Sequence, residues 1–410
     1  MRTIIRTSVL CLLLTTSAVL LASAATASVR LSQEVGLFDD EVHTTSVVHV
    51  EKDVSLSETL VLKLNPELRW DDGFLVTPNF DIEGGVDFLN RRRTRRGIIG
   101  GAYGLSYLQT QWTLFLGVDP IHMGNSFEFV PTNRLSPKDY LVLPFPRDQE
   151  TLHGALTYYL NDRASLKAYF LPVDNVSYIP VEMQGEDWTY SLVSVPRGLQ
   201  VKKVPPALTV GNFQGALELD WGNFSLVAGR ALENLPRVDL QLRRRVAKLR
   251  YDPTVFGGGW YSYLRGPLTF RLNAVYVGSE GSQEPDRVES VVQVDYQVAQ
   301  GLLLVAQYLS QESLGTTPRT PLDLKTILNR SVFVHAEYNY RGFAYARLGA
   351  LWRAEPGDGL VRWVVGVKPR NNLTIELKSA VFYGPRTELL GQFRDTPLLQ
   401  LTVSYSLFFL

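Results

Sequence analysis

The sequence predicts an all-β chain: a transmembrane, antiparallel, up-and-down β-barrel of about eighteen strands. Three observations predict it. Apolar and polar residues alternate with period two in segments of about ten residues, the length of a tilted membrane strand. Beyond residue 27 no segment reaches the roughly 18 uninterrupted apolar residues of a membrane helix, and helical periodicity is almost absent. The breaks between segments alternate between tight turns and long loops, as a barrel with two unlike ends requires.

The elements follow in order. Arg2 and Arg6 precede an apolar run from Val9 to Leu21, and the small residues Ala22, Ser23, Ala24, Ala25, Thr26 and Ala27 follow it. That is the pattern of a secretory signal peptide over 1–27, with 28–410 as the barrel. Its removal takes away two arginines and the sole cysteine, Cys11, leaving 39 basic against 41 acidic side chains, a formal charge of −2. The remainder has no disulfide, thiolate metal site or cysteine nucleophile, and no global charge footprint for nucleic acid.

The first strand is expected near Glu41. Tight inner turns are expected near Asp72, Thr110, Asp162, Gly222, Gly266, Gly301, Gly342 and Asn371. Outer loops are expected at 85–96, 119–150, 174–206, 231–254, 279–286, 313–329, 355–358 and 384–397, all but one of them long. An even count leaves the N-terminus on the inner side. Sixteen strands stay open as a count, because 29–70 is less regular and 238–250 could itself pair as strands. Within the strands, Val332, Val334, Ala336, Tyr338 and Tyr340 oppose Phe333, His335, Glu337, Asn339 and Arg341, and Val361, Trp363, Val365 and Val367 oppose Arg362, Val364, Gly366 and Lys368. Trp352, Trp363, Tyr383, Tyr276 and Tyr308 are expected near outer ends and Phe409, Tyr338, Tyr340 and Trp112 near inner ends, as two interfacial girdles. A soluble sandwich or propeller is disfavoured because no blade-length repeat is visible.

The end of the chain, LLQLTVSYSLFFL, places Leu399, Leu401, Val403, Tyr405, Leu407 and Phe409 on one face and Gln400, Thr402, Ser404 and Ser406 on the other. It resembles the C-terminal strand of bacterial outer-membrane β-barrels, although that family finishes on the aromatic and here Leu410 follows Phe409. The resemblance implies an integral outer-membrane protein in contact with membrane lipid and lipopolysaccharide.

The segment 119–150 is the candidate constriction loop. Prolines at 120, 131, 137, 144 and 146 oppose helix and ladder pairing, and a stretch this long and apolar is expected to fold into the barrel mouth. Its N-x-x-x-P-x-D pattern, at Asn133, Pro137 and Asp139, loosely resembles the inward loop of porin-like channels. That resemblance implies that Arg134, Lys138 and Asp139 project across the constriction.

Function is sought in the lumen, since a wall of this size encloses more space than side chains fill. Lumen-facing positions carry Lys167, Arg271, Arg347, Arg362, Lys368 and Lys378 against Glu218, Glu289, Asp295, Glu337 and Glu376, a polar lining of both signs. The basic clusters at 91–96 and 243–245 fall in outer loops, where they would attract anionic solutes or lipopolysaccharide phosphates. His43, His49, His122, His153 and His335 are scattered without metal or acid/base spacing, and no nucleophile elbow or phosphate loop occurs. No cofactor and no enzyme activity are expected. The expected function is diffusion of small hydrophilic solutes. The alternative is a barrel that sheaths a periplasmic electron carrier or exports a polymer; a periplasmic partner or a homo-oligomer stays open.

Overall fold

The computed structural model describes backbone at residues 29–36, 42–50, 56–64, 68–69, 74–87, 94–139, 147–148, 150–172, 200–204, 213–233, 237–241, 246–280, 285–315, 328–355, 357–370, 373–386 and 398–407, and at 388, 390, 391 and 394. Side chains are described from 104 to 394 within these segments, apart from 138–139, 147, 200–204, 237–241 and most of 246–250. The segment 1–27, the arginines at 91–93 and 243–245, and Phe409 lie outside the described residues.

Period-two sequence becomes strand throughout. In chain order the strands are β1 (Val29–Gly36), β2 (Val42–Val50), β3 (Leu56–Leu64), β4 (Leu68–Arg69), β5 (Phe74–Asp87), β6 (Thr94–Leu108) and β7 (Trp112–Asp119). There follow β8 (Lys138–Asp139), β9 (Arg147–Asp148), β10 (Thr151–Asn161), β11 (Ala164–Leu171), β12 (Gln200–Val204), β13 (Gln214–Trp221), β14 (Phe224–Leu232), β15 (Arg237–Gln241) and β16 (Val246–Arg250). The rest are β17 (Pro253–Arg265), β18 (Leu268–Ser279), β19 (Arg287–Ala299), β20 (Leu302–Ser313), β21 (Ser331–Tyr340), β22 (Ala344–Arg353), β23 (Asp358–Arg370), β24 (Leu373–Tyr383) and β25 (Leu398–Leu407).

Twenty of these form one sheet. Antiparallel neighbours run in order from β5 through β6, β7, β10, β11, β13 and β14 to β17, then one after another to β25. The last strand then pairs with an early one: β25 lies antiparallel to β2, with Val48 opposite Leu401. β3 and the short β4 both pair with β5, β1 pairs with β3, and β1 lies alongside β2. The sheet therefore returns on itself as a barrel. Every expected inner turn and outer loop falls between two strands of this wall. Gly222, Gly266, Gly301 and Gly342 take positive φ in four of the inner turns, and Arg341 at φ 51 joins Gly342 at φ 72 in a left-handed pair that matches the strand twist.

Three features depart from the expected plan. The first strand is β1 at Val29–Gly36, ahead of the start expected near Glu41. β1 runs parallel to β3, within a stretch where the sequence alternates least regularly. Outside the wall, β15 and β16 do pair, as 238–250 allowed, and β12 joins β16 in parallel to make a three-stranded sheet.

Burial alternates along each strand. On β19, Arg287, Glu289, Val291, Gln293 and Asp295 are buried while Val292, Val294 and Tyr296 are exposed. The exposed face is apolar on strand after strand: Leu114, Leu116, Leu156, Leu166, Leu217, Leu226, Val334, Leu348, Val365 and Val381. A soluble sheet would bury that face, so this is the lipid-facing surface of a transmembrane barrel, with the polar side chains turned inward. Exposed Tyr158, Trp221, Tyr263, Tyr296, Tyr338 and Tyr340 ring the end with short turns, and Tyr276, Tyr308, Trp352 and Tyr383 ring the other. Trp363 is the exception: it pairs with Leu348 and Ser379 at mid-wall, near the middle of β23 and away from its outer end at Asp358.

Candidate functional site

The segment after β7 is the most deeply buried irregular stretch of the described chain, and local chemistry explains its path. Pro120 and Pro131 withhold ladder donors. Gly124 has φ 118, and a Cβ there would meet Val130 Cγ1 at 2.4 Å and Thr132 Oγ1 at 2.5 Å, so only glycine allows this turn back on itself. The Thr132 hydroxyl donates to the Met123 carbonyl at 2.9 Å and closes the same fold.

Two kinds of contact then hold the segment inside the barrel. Ile121, Met123 and Leu135, each 1% exposed, pack with Leu171, Val227, Phe256, Val275 and Val277 on the inward faces of β11, β14, β17 and β18. Polar groups follow along the wall. Asn125 bonds Ser262, Arg271 and Asn273, and the Phe127 N–H donates to Gln293 Oε1 at 2.7 Å. Gln293 in turn accepts from Gln307 at 2.7 Å. The Phe127 ring lies 4.8 Å from that of His335, Phe129 meets Phe333 edge-on at 5.8 Å, and Glu128 binds Arg362 at 3.1 Å. β21, which carries His335 and Phe333, stands nine steps from β7 in the pairing order, on the far side of the wall. The segment therefore crosses the lumen.

Arg134 is 6% exposed and belongs to a closed ion cluster. Its Nη2 lies 2.6 Å from Glu233 and its Nη1 3.3 Å from Glu289, while Arg287 meets Glu233 at 2.7 Å and Glu289 at 2.6 Å. Two cations and two carboxylates, all at most 7% exposed, join the segment to the end of β14 and the start of β19. Charges this far from water persist only when paired. Lys138 and Asp139 form β8, opposite Asp148 and Arg147 of β9 at the next bend of the segment.

The remaining sequence-derived positions share the face of their strands that carries the buried side chains. Lys167 binds Glu218 at 2.8 Å and Asp220 at 2.7 Å, and the Tyr169 hydroxyl donates to Glu218 at 3.1 Å. Arg271 meets Asp295 at 3.0 Å, Arg347 meets Glu337 at 3.3 Å, and Lys378 meets Glu376 at 2.5 Å beside Tyr345, whose hydroxyl bonds the same carboxylate. Arg347 also lies 5.1 Å from the Tyr345 ring centroid. Lys368 is exposed near the inner end of β23. The pairs are lopsided: Lys167 is 30% exposed against 2% for Glu218, Arg271 33% against 11% for Asp295, and Arg347 47% against 27% for Glu337. In these three pairs the cation is the more open partner, whereas Lys167 and Asp220 are nearly equally open at 30% and 27%.

Sequence reasoning did not single out Asn125, Glu128, Glu233, Asn273, Arg287, Gln293 or Gln307. Strand parity on β18 and β19 would have exposed three of them, Asn273, Arg287 and Gln293. Burial raises the Glu128 carboxyl above the usual glutamate range, against the lowering pull of Arg362. Among the described residues no group of His, Cys, Asp and Glu could hold a metal ion.

No protein-family model matches the chain, and no curated protein matches it. Solved structures similar in course include Pseudomonas aeruginosa OccK5 (OpdH), at 12% identity over 93% of this chain and 96% of that one, TM-score 0.47. P. aeruginosa OccK2 (OpdF) in complex with glucuronate is 8% identical over 90% and 91%, TM-score 0.48. A BenF-like porin from Pseudomonas fluorescens Pf-5 is 9% identical over 90% and 91%, TM-score 0.45. Likenesses of this size decide nothing about this chain; its barrel is established by its own strand pairing and its apolar outer face.

Proposed function

We propose that the chain is a porin-like channel of the bacterial outer membrane, passing small hydrophilic solutes through a lumen narrowed by the segment 119–150. One observation carries the reading: a proline-stiffened segment crosses the inside of a lipid-facing barrel and is fastened along the wall from β11 to β23 by apolar, amide and ionic contacts. A wall of this many strands is wide, so the narrowest part of the path is set by what folds into it. Around it, the heads of Lys167, Arg271, Arg347 and Lys378 are more open than Glu218, Asp295, Glu337 and Glu376 beside them, while Arg362 is held by Glu128 of the crossing segment. Fixed charges at short range act on ions before salt screens them, so this lining favours anionic over cationic solutes. Lys138 and Asp139 belong to the same segment and contribute to its charge. In this reading the short turns face the periplasm and the long loops face outward.

Planar-bilayer recording tests it. The purified barrel should conduct alone, with a reversal potential favouring anions, and deletion of 125–141 should raise single-channel conductance while the barrel still assembles. A barrel that carries no current without removal of a partner would overturn the channel reading in favour of a sheath.

A further inference from the structure

The described inner turns form a continuous collar. The Gly222 N–H donates to the Arg163 carbonyl at 2.8 Å, Ser262 to Asn223 at 2.9 Å, Gln297 to Pro267 at 2.9 Å, Asn339 to Gly301 at 2.7 Å and Lys368 to Phe343 at 2.6 Å. Each turn is thereby tied to a neighbouring strand, and the side chains it carries hold fixed stations around the rim.

Arg163, Arg265, Arg341 and Arg370 stand on this collar, all exposed, and among the described residues none of the four has an ion-pair partner. Asp162 is the acidic residue of the described collar turns. The opposite rim is built differently. There Arg230 pairs with Glu280 at 2.7 Å, Arg330 with Glu312 at 3.4 Å and Glu355 at 3.2 Å, and Arg353 with Asp358 at 3.2 Å. Among the described residues, cations are compensated by the protein at one end and stand without an ionic partner at the other.

Their height on the wall says what that is. Trp221, Tyr263, Tyr338 and Tyr340 are exposed beside the collar, and outward aromatic rings settle at the level of lipid headgroups. The Arg341 guanidinium lies 5.6 Å from the Tyr340 ring centroid, at that level. Arg265 follows Tyr261 and Tyr263 on the outward parity of β17, and Arg163 precedes the strand residue paired with Trp221. Guanidinium groups at headgroup level meet phosphate, with which they form charge-assisted, often paired, hydrogen bonds. The turns are too tight to offer relief for a folded protein.

We propose that the collar binds anionic phospholipid headgroups, of phosphatidylglycerol type, in the leaflet that faces the short turns. A headgroup carrying one phosphodiester and no ammonium complements the unpaired cations, whereas a zwitterionic headgroup brings its own cation. That this leaflet is the periplasmic one rests on the orientation proposed above.

Native mass spectrometry of the full barrel in detergent, with phosphatidylglycerol or phosphatidylcholine added, tests the proposal. The wild-type barrel should retain phosphatidylglycerol preferentially, and R163Q/R265Q/R341Q/R370Q should lose affinity for it roughly fivefold per charge removed, with phosphatidylcholine retention unchanged. The four-lysine counterpart should keep most of the preference, and R330Q on the opposite rim should leave it intact. Heat-modifiable gel migration identifies variants that have assembled. Equal retention of the two lipids by the wild type, or undiminished phosphatidylglycerol retention by the assembled glutamine variant, would overturn the proposal; the first result would point instead to an acidic protein as the collar's ligand. Orientation is read separately by placing a cysteine at Asn223 in the mature chain and labelling whole cells with a bulky impermeant maleimide. Labelling in intact cells would overturn the periplasmic placement and leave the lipid preference to stand or fall on the binding data.

Discussion

Substituting Arg134 by alanine isolates what fastens the crossing segment to the wall. The cluster of Arg134, Arg287, Glu233 and Glu289 is electrically neutral and nearly dry. Without Arg134, two buried carboxylates share one guanidinium, and an uncompensated buried charge of this kind costs about 3 to 5 kcal/mol. The segment retains Ile121, Met123 and Leu135, whose burial contributes roughly 1.5 to 3 kcal/mol each, so it should stay docked but open more often. Urea titration of the barrel in phospholipid vesicles, followed by the heat-modifiable band shift, should show a loss within the 3 to 5 kcal/mol range, and single-channel records should gain noise and mean conductance. The control is R134M/E233Q, which leaves Arg287 paired with Glu289 at 2.6 Å and no surplus charge; it should recover half or more of the loss. A loss under about 1 kcal/mol for Arg134→Ala, or a double variant as weak as the sum of its parts, would refute the reasoning that charge balance holds the segment.

Placing arginine at Leu217 or Val334, on the lipid face near mid-wall, should cost about 2 to 4 kcal/mol in the same titration, whereas arginine at the inward Thr374 should cost far less; equal tolerance would contradict the assignment of faces. Because burial raises the Glu128 carboxyl, mild acidification should protonate it above the usual glutamate range, release its hold on the still-charged Arg362 and shift the reversal potential toward anions. The sign follows from the folded state binding that proton more tightly than the unfolded chain does, and a Glu128→Gln channel whose selectivity changes with pH as the wild type's does would reject it. Gly124→Val adds backbone strain and a clash with Val130 and Thr132, and should mimic loss of the segment in conductance while leaving heat-modifiability intact; wild-type conductance would show that the turn tolerates a side chain.

The wall was legible because its signals are local. Alternation with period two sets the face of each residue, and turns such as Arg341-Gly342 announce themselves by the residues that accept positive φ. The parallel placement of β1 against β3 was not legible, since neither strand's own pattern names its neighbour. The crossing segment illustrates the same limit. Its prolines showed that it would be stiff, but Arg134 finds its partners 99 and 155 residues away, at Glu233 and Glu289, and no spacing in the sequence connects them. A residue that reads as a charge aimed across a pore is, in the fold, a charge held by the wall.

The pairing of β2 with β25 has a consequence for how the molecule comes into being. Val48 and Leu401 are 353 positions apart, and the ladder between their strands can form only when nearly the whole chain is present. Every earlier stage carries two unpaired edges, each flanked by an apolar face, which is the form of chain most ready to stack on its own kind. Pairing of these two strands is what covers both edges and removes the hazard. A chain cut short anywhere before its final strand would be stranded as an open ribbon, so the last ten residues of the wall decide whether all the others form a vessel or an aggregate.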